Sequence, residues 1–121
     1  MRVTIDRMEG VIANRIAMLA WSNPDLSTEW AIVNDDWGVI TVSDGGRLLG
    51  FEYVESEISW ARPERVRVYE ETLDQGLTVV VIVPEEVYLE VRGRLSRLLG
   101  SRTPEVLSYD SIGITALPRP S

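Results

Sequence analysis

The sequence of 121 residues lacks three residue types: it has no cysteine, no histidine and, among its twelve basic residues, no lysine. Without cysteine the chain forms no disulfide and no thiolate metal site, and nothing points to an oxidising compartment. Without histidine it lacks the usual general base, the usual zinc ligand and every Ser-His or Cys-His nucleophile pair. Lysine chemistry is excluded as well. Any catalysis would therefore rest on carboxylates.

Positive charge is also scarce, because 19 acidic residues stand against 12 arginines and the formal net charge is −7. Nonspecific affinity for nucleic acid comes mainly from basic residues that displace counterions, so this balance disfavours tight binding to phosphates outside a local arginine cluster. The N-terminus is charged, and no stretch approaches the roughly 18 apolar residues of a membrane span. These features predict a soluble, cytoplasmic protein.

Apolar residues make up 45% of the chain, which is enough for one ordinary core. We expect one α/β domain over residues 1–112 and a flexible C-terminal tail over residues 113–121. In chain order, apolar spacing and turn residues predict a helix over about 7–21, a strand over 29–33, a hairpin over 37–55, a helix over 63–76, a strand over 77–83, a helix over 84–100 and a strand over 106–109. Residues 65–68 would also fit a strand, but Pro63 suits the first turn of a helix, so we expect a helix there.

The hairpin can be assigned a register from its turn. Gly45-Gly46 is a favoured centre for the two-residue turns that join antiparallel strands. With that turn, Ile40 faces Phe51 and Asp36 faces Glu55, and these pairs share one face of the sheet because side chains alternate with period two. The register therefore predicts a face that is apolar until its open end, where two carboxylates meet.

Two facing carboxylates at the border of an apolar face repel each other, and desolvation raises the energy of both charged forms. A shared proton, an arginine such as Arg62 or Arg65, or a hard divalent cation would neutralise them. On this view Asp36→Asn stabilises the metal-free fold by relieving the repulsion. The alternatives are ordinary acids at a solvated strand end, or Asp35-Asp36 serving as turn residues between two strands.

The order of elements resembles the restriction-endonuclease-like, or PD-(D/E)xK, superfamily, whose αβββαβ core has a mixed sheet flanked by helices. Asp36 matches the family's Asp at the start of the second strand of the meander, Glu55-Ser56-Glu57 matches the acid-x-Lys triplet, and Glu9 lies on the first helix. The resemblance implies that Asp36, Glu55 and Glu9 hold Mg²⁺ or Mn²⁺. It also implies that Asp36, Glu55 and Glu57 are catalytic, with Glu57 in place of the lysine to orient or deprotonate water.

Two hypotheses of function follow. The first is a nuclease-like protein, either active or degenerate, that depends on a divalent metal, acts on DNA or RNA and works as a homodimer. The second is a noncatalytic protein-binding or assembly module on the same fold, which self-associates or docks to a protein partner through its aromatic residues and an uncovered strand edge. The carboxylates favour the enzyme, whereas the missing lysine and the acidic charge favour the binding module.

Overall fold

The computed structural model describes the backbone of residues 2–113 and the side chains of residues 6–113. The predicted tail lies outside the described residues except for Gly113. Each element predicted from the sequence is present, and the order of helices and strands is confirmed. The elements are the helices α1 (Arg2–Ser22), α2 (Pro63–Asp74) and α3 (Tyr88–Leu99), and the strands β1 (Leu26–Val33), β2 (Trp37–Asp44), β3 (Arg47–Val54), β4 (Thr78–Val83) and β5 (Glu105–Ser108).

The strands form one five-stranded mixed sheet in the order β1-β2-β3-β4-β5. The first three strands are antiparallel neighbours, whereas β3, β4 and β5 run parallel. Parallel neighbours need a crossover connection, and here α2 and α3 supply the two crossovers. The sheet and its three helices confirm the predicted α/β class.

Helices cover the sheet on both faces. On one face α1 packs Met8 and Ile12 into a cluster with Ile40, while Tyr69 of α2 and Leu95 of α3 belong to a second cluster on the other face. β4 supplies residues to both clusters, so burial on both sides explains its continuous apolar run. None of the described helices has the length and apolar character needed to cross a membrane.

The predicted hairpin register is correct only next to the turn. Gly45 and Gly46 form the turn with positive φ angles of 61° and 85°, as expected for a two-residue hairpin. An irregularity between Val42 and Ser43 then shifts the pairing by one residue, so that Ile40 faces Glu52 and not Phe51. In a bulge two residues oppose one, and a shift of one residue reverses the faces. The prediction that Asp36 faces Glu55 is therefore wrong.

Gly50 lies directly after the irregularity and packs closely against β4. A Cβ atom built on Gly50 would lie 2.0 Å from Oγ1 of Thr78 on that strand, so only glycine fits there. With Gly50 opposite Val42, Glu52 faces α1, while Phe51 and Tyr53 face the layer of α2 and α3.

Candidate functional site

The site centres on Glu55, the first residue after β3. Its backbone N–H donates to the carbonyl oxygen of Ile82 at 2.8 Å, which extends the pairing with β4 by one step. Its own carbonyl oxygen accepts a hydrogen bond from Tyr109 Oη at 2.5 Å. The side chain of Glu55 is wholly buried, with 0% exposure. A carboxylate is thus held inside the protein where the central strand ends.

Three side chains saturate the Glu55 carboxylate. Arg65 donates to it from Nε, at 3.1 and 3.0 Å from the two oxygens, and from Nη2 at 2.7 Å. Ser59 Oγ donates at 2.6 Å and Tyr69 Oη at 2.5 Å. We call these four residues the Glu55 cluster. Every buried polar side-chain atom of the described residues has a hydrogen-bond partner, so the cluster leaves no lone donor or acceptor inside the protein.

Local structure positions each donor. Arg65 and Tyr69 lie four residues apart on α2, so both side chains project from the same face of the helix. Ser59 begins a one-turn 3₁₀ helix, Ser59–Ala61. Reciprocal hydrogen bonds hold this turn, from the N–H of Ser56 to Ser59 Oγ at 2.8 Å and from the N–H of Ser59 to Ser56 Oγ at 3.0 Å. The segment between β3 and α2 is therefore folded around the carboxylate.

Aromatic rings enclose the charged pair. The guanidinium carbon of Arg65 lies 3.8 Å from the ring centroid of Trp37 and 5.6 Å from that of Tyr53. Such contacts attract the cation while excluding water. Burial, together with the negative charge of Glu55, holds the pKa of Tyr69 well above its usual range, so this hydroxyl keeps the proton that it donates.

Asp36 has its own arginine. It forms an ion pair with Arg62, and the two side chains are 16% and 40% exposed. Ser56 Oγ also lies 3.4 Å from Asp36 Oδ1, which places Asp36 beside the Glu55 cluster. Of the neutralising groups considered from the sequence, arginine is the one that the structure places at these acids: Arg62 at Asp36 and Arg65 at Glu55.

The other two predicted site residues lie on the surface. Glu9 is an exposed residue of α1, and Glu57 is exposed after the end of β3. Among residues 6–113, no group of three or more acids is arranged so as to hold a metal ion. As arranged, Asp36, Glu55 and Glu9 do not fit a divalent cation, because the oxygens of Glu55 already accept hydrogen bonds from three side chains. Metal binding stays a prediction.

Sequence reasoning missed a second buried ion pair on the opposite face of the sheet. Arg15 of α1 donates to Glu52 through Nε at 2.6 Å and Nη2 at 3.0 Å. Glu52 also lines a cavity of about 570 Å³ near the hairpin turn, whose apolar walls include Leu19 and Leu49. The signal was an acid inside an apolar strand, but the predicted register placed Glu52 on the face opposite Ile40, whereas the two residues in fact pair.

Comparison of the chain with known proteins found no relative. No protein-family model, no curated protein and no solved structure matches it. The resemblance to the restriction-endonuclease-like superfamily therefore rests only on the order of elements and on the positions of Asp36, Glu55, Glu57 and Glu9.

Proposed function

We propose that the protein is a noncatalytic protein-binding module in which two of the predicted catalytic carboxylates, Asp36 and Glu55, form ion pairs within the fold. The observation that carries this proposal is the saturation of Glu55, which is wholly buried and accepts hydrogen bonds from Arg65, Ser59 and Tyr69. A carboxylate that binds a metal or a water needs oxygens free to coordinate it. In this protein those oxygens instead join the end of β3 to α2.

The surface supports binding of a protein. β1 pairs with β2 on one side and has no strand on its other side among the described residues. Trp30 on this strand is 49% exposed, and tryptophan is enriched at protein interfaces. The net charge of −7 disfavours nucleic acid as the partner. An uncovered edge, an exposed tryptophan and negative charge together favour a protein ligand.

The competing proposal is the metal-dependent nuclease implied by the family resemblance. It requires Glu55 to exchange at least one hydrogen-bond donor for a metal ion, while Arg65 lies within 3.1 Å of both carboxylate oxygens. A cation entering there would meet the positive charge of that guanidinium, which weakens cation binding. The resemblance itself stays a proposal.

Calorimetric titration with Mn²⁺ separates the two proposals. We expect no saturable binding to the wild-type protein, to Asp36→Asn or to Glu55→Gln. Asp36→Asn serves as the folded control, because it removes the charge from the partly exposed pair with Arg62 and keeps an oxygen that can accept from Ser56 Oγ. It should lower the free energy of unfolding by at most about 1 kcal/mol, and the stabilisation expected from relief of repulsion by Glu55 no longer applies, because Asp36 faces Arg62. Saturable Mn²⁺ binding to the wild type that disappears in both variants would overturn the noncatalytic proposal and call for nuclease assays on DNA and RNA.

A further inference from the structure

β1 is an edge strand of the sheet among the described residues. It pairs with β2 over all eight of its residues in a regular antiparallel register, and no described strand lies on its outer side. Proteins usually shield such edges with charged side chains, proline, bulges or short strands. β1 contains no proline, its pairing with β2 has no bulge, and at eight residues it exceeds the common strand length. Its single charged residue is Glu29, so a ligand of opposite charge could pair with this edge.

The exposed side chains of this edge differ between the two faces of the sheet. Glu29 pairs with Thr41 and Trp30 pairs with Ile40, so the two residues point to opposite faces. Both are exposed, and Ala31 beside them is exposed as well. A strand added here would therefore place alternate side chains near a carboxylate on one face and near an indole ring on the other.

The chain segment that forms this edge carries charge of one sign. No basic residue occurs between Arg15 and Arg47, a stretch that includes β1 and β2. That stretch contains five acids, of which only Asp36 forms an ion pair among the described residues. The four others are exposed: Asp25, Glu29, Asp35 and Asp44. The edge is thus complementary to a cationic ligand.

We propose that β1 binds an extended, arginine-rich segment of a basic protein as a sixth strand of the sheet. The proposal rests on the proposed function and names its partner class. Main-chain hydrogen bonds would supply affinity, as in other cases of strand addition. An arginine on one face would pair with Glu29, and one on the other would lie over Trp30. A second copy of this chain fits less well, because two chains of charge −7 repel each other.

The probe is a synthetic peptide of eight residues, the length of β1, in which pairs of arginines alternate with pairs of threonines. Neighbouring arginines then point to opposite faces of the added strand, one toward Glu29 and one toward Trp30. One control peptide replaces arginine with glutamate, and another contains two central prolines that prevent strand pairing. We expect only the uninterrupted arginine peptide to bind, with amide NMR shifts concentrated in residues 26–33. Glu29→Arg should weaken this binding about tenfold. Glu71→Arg, which changes an exposed acid on α2 by the same charge, should weaken it less than about twofold.

Other outcomes overturn the proposal. Equal weakening by Glu29→Arg and Glu71→Arg would mean attraction to the net charge alone. Shifts in residues 26–33 that grow with protein concentration and without peptide would identify a second copy as the occupant. If neither the peptide nor Mn²⁺ binds, the proposed binding surface is wrong, but the noncatalytic function is not contradicted. If Mn²⁺ binds saturably and the peptide also binds, the noncatalytic function is wrong, but the proposed binding surface is not contradicted.

Discussion

Two glutamates at the end of the same strand form ion pairs on opposite faces of the sheet. Glu55 binds Arg65 of α2, and the two side chains are 0% and 4% exposed. Glu52 binds Arg15 of α1, and here the exposures are 7% and 15%. Among the residues that the structure describes, only Glu55 has further donors, from Ser59 and Tyr69. A glutamate–arginine pair is therefore fully buried at one site and partly exposed to solvent at the other.

The two ion pairs differ in exposure because their surroundings differ. Glu52 lines a cavity, so water can reach its carboxylate when the arginine is removed. Glu55 is closed in by α2 and the 3₁₀ turn, with Trp37 stacked on its arginine. Breaking a buried pair is costly because it leaves a charge without compensation, and the cost falls when solvent replaces the lost partner. Breaking the enclosed Glu55 pair should therefore lower the free energy of unfolding more than breaking the Glu52 pair.

The largest effect is expected from Arg65→Met. Methionine keeps much of the apolar stem but leaves the carboxylate of Glu55 buried without its cation, so the free energy of unfolding should fall by about 3–5 kcal/mol. Urea unfolding followed by circular dichroism measures this loss. Arg67→Met, at an exposed position of the same helix, is the matched control and should change stability by no more than about 0.5 kcal/mol. Adding Glu55→Gln to Arg65→Met should recover part of the loss, because it removes the uncompensated charge.

A smaller effect is expected from Arg15→Met. Loss of two hydrogen bonds to a charged group that borders a cavity should lower the free energy of unfolding by about 1.5–3 kcal/mol. The same urea experiment measures it. A loss equal to or greater than that of Arg65→Met would show that enclosure does not distinguish the two pairs.

The smallest effect concerns the tyrosine that only the Glu55 pair possesses. Burial raises the pKa of Tyr69, as it does for Tyr53 and Tyr109, whereas an unfolded tyrosine titrates near pH ~10. Because the folded-state pKa lies above the unfolded one, this stabilisation is complete below pH ~10 and is lost as the pH rises further. Between its unfolded and folded pKa, Tyr69 contributes a slope of about −1.4 kcal/mol per pH unit.

Tyr69→Phe tests this alkaline dependence. Its free energy of unfolding should fall less steeply above pH ~10 than that of the wild type, by about 1.4 kcal/mol per pH unit. Urea unfolding at several pH values measures both slopes, so a constant difference in stability between the two proteins does not affect the result. Identical slopes would contradict a buried, protonated Tyr69 in the Glu55 cluster.

Part of the candidate site could be predicted from the sequence. The position of Glu55 at the end of a strand follows from the β-rich run before it, and Arg65 was one of two arginines considered as a partner. The pairing of Asp36 with Glu55 failed, because the bulge near Val42 shifts the register by one residue. Ser59 and Tyr69 were not foreseen, since their roles depend on how the segment after β3 folds back.

Local patterns are enough to predict the order and type of the elements, because apolar periodicity, prolines and glycines act over a few neighbouring residues. The composition likewise excludes the chemistries of cysteine, histidine and lysine. Which acid meets which arginine depends on tertiary packing. Arg15 and Glu52 are 37 residues apart, and they meet because α1 packs across the sheet. Contacts over such separations depend on register and packing, which no local pattern in the chain records.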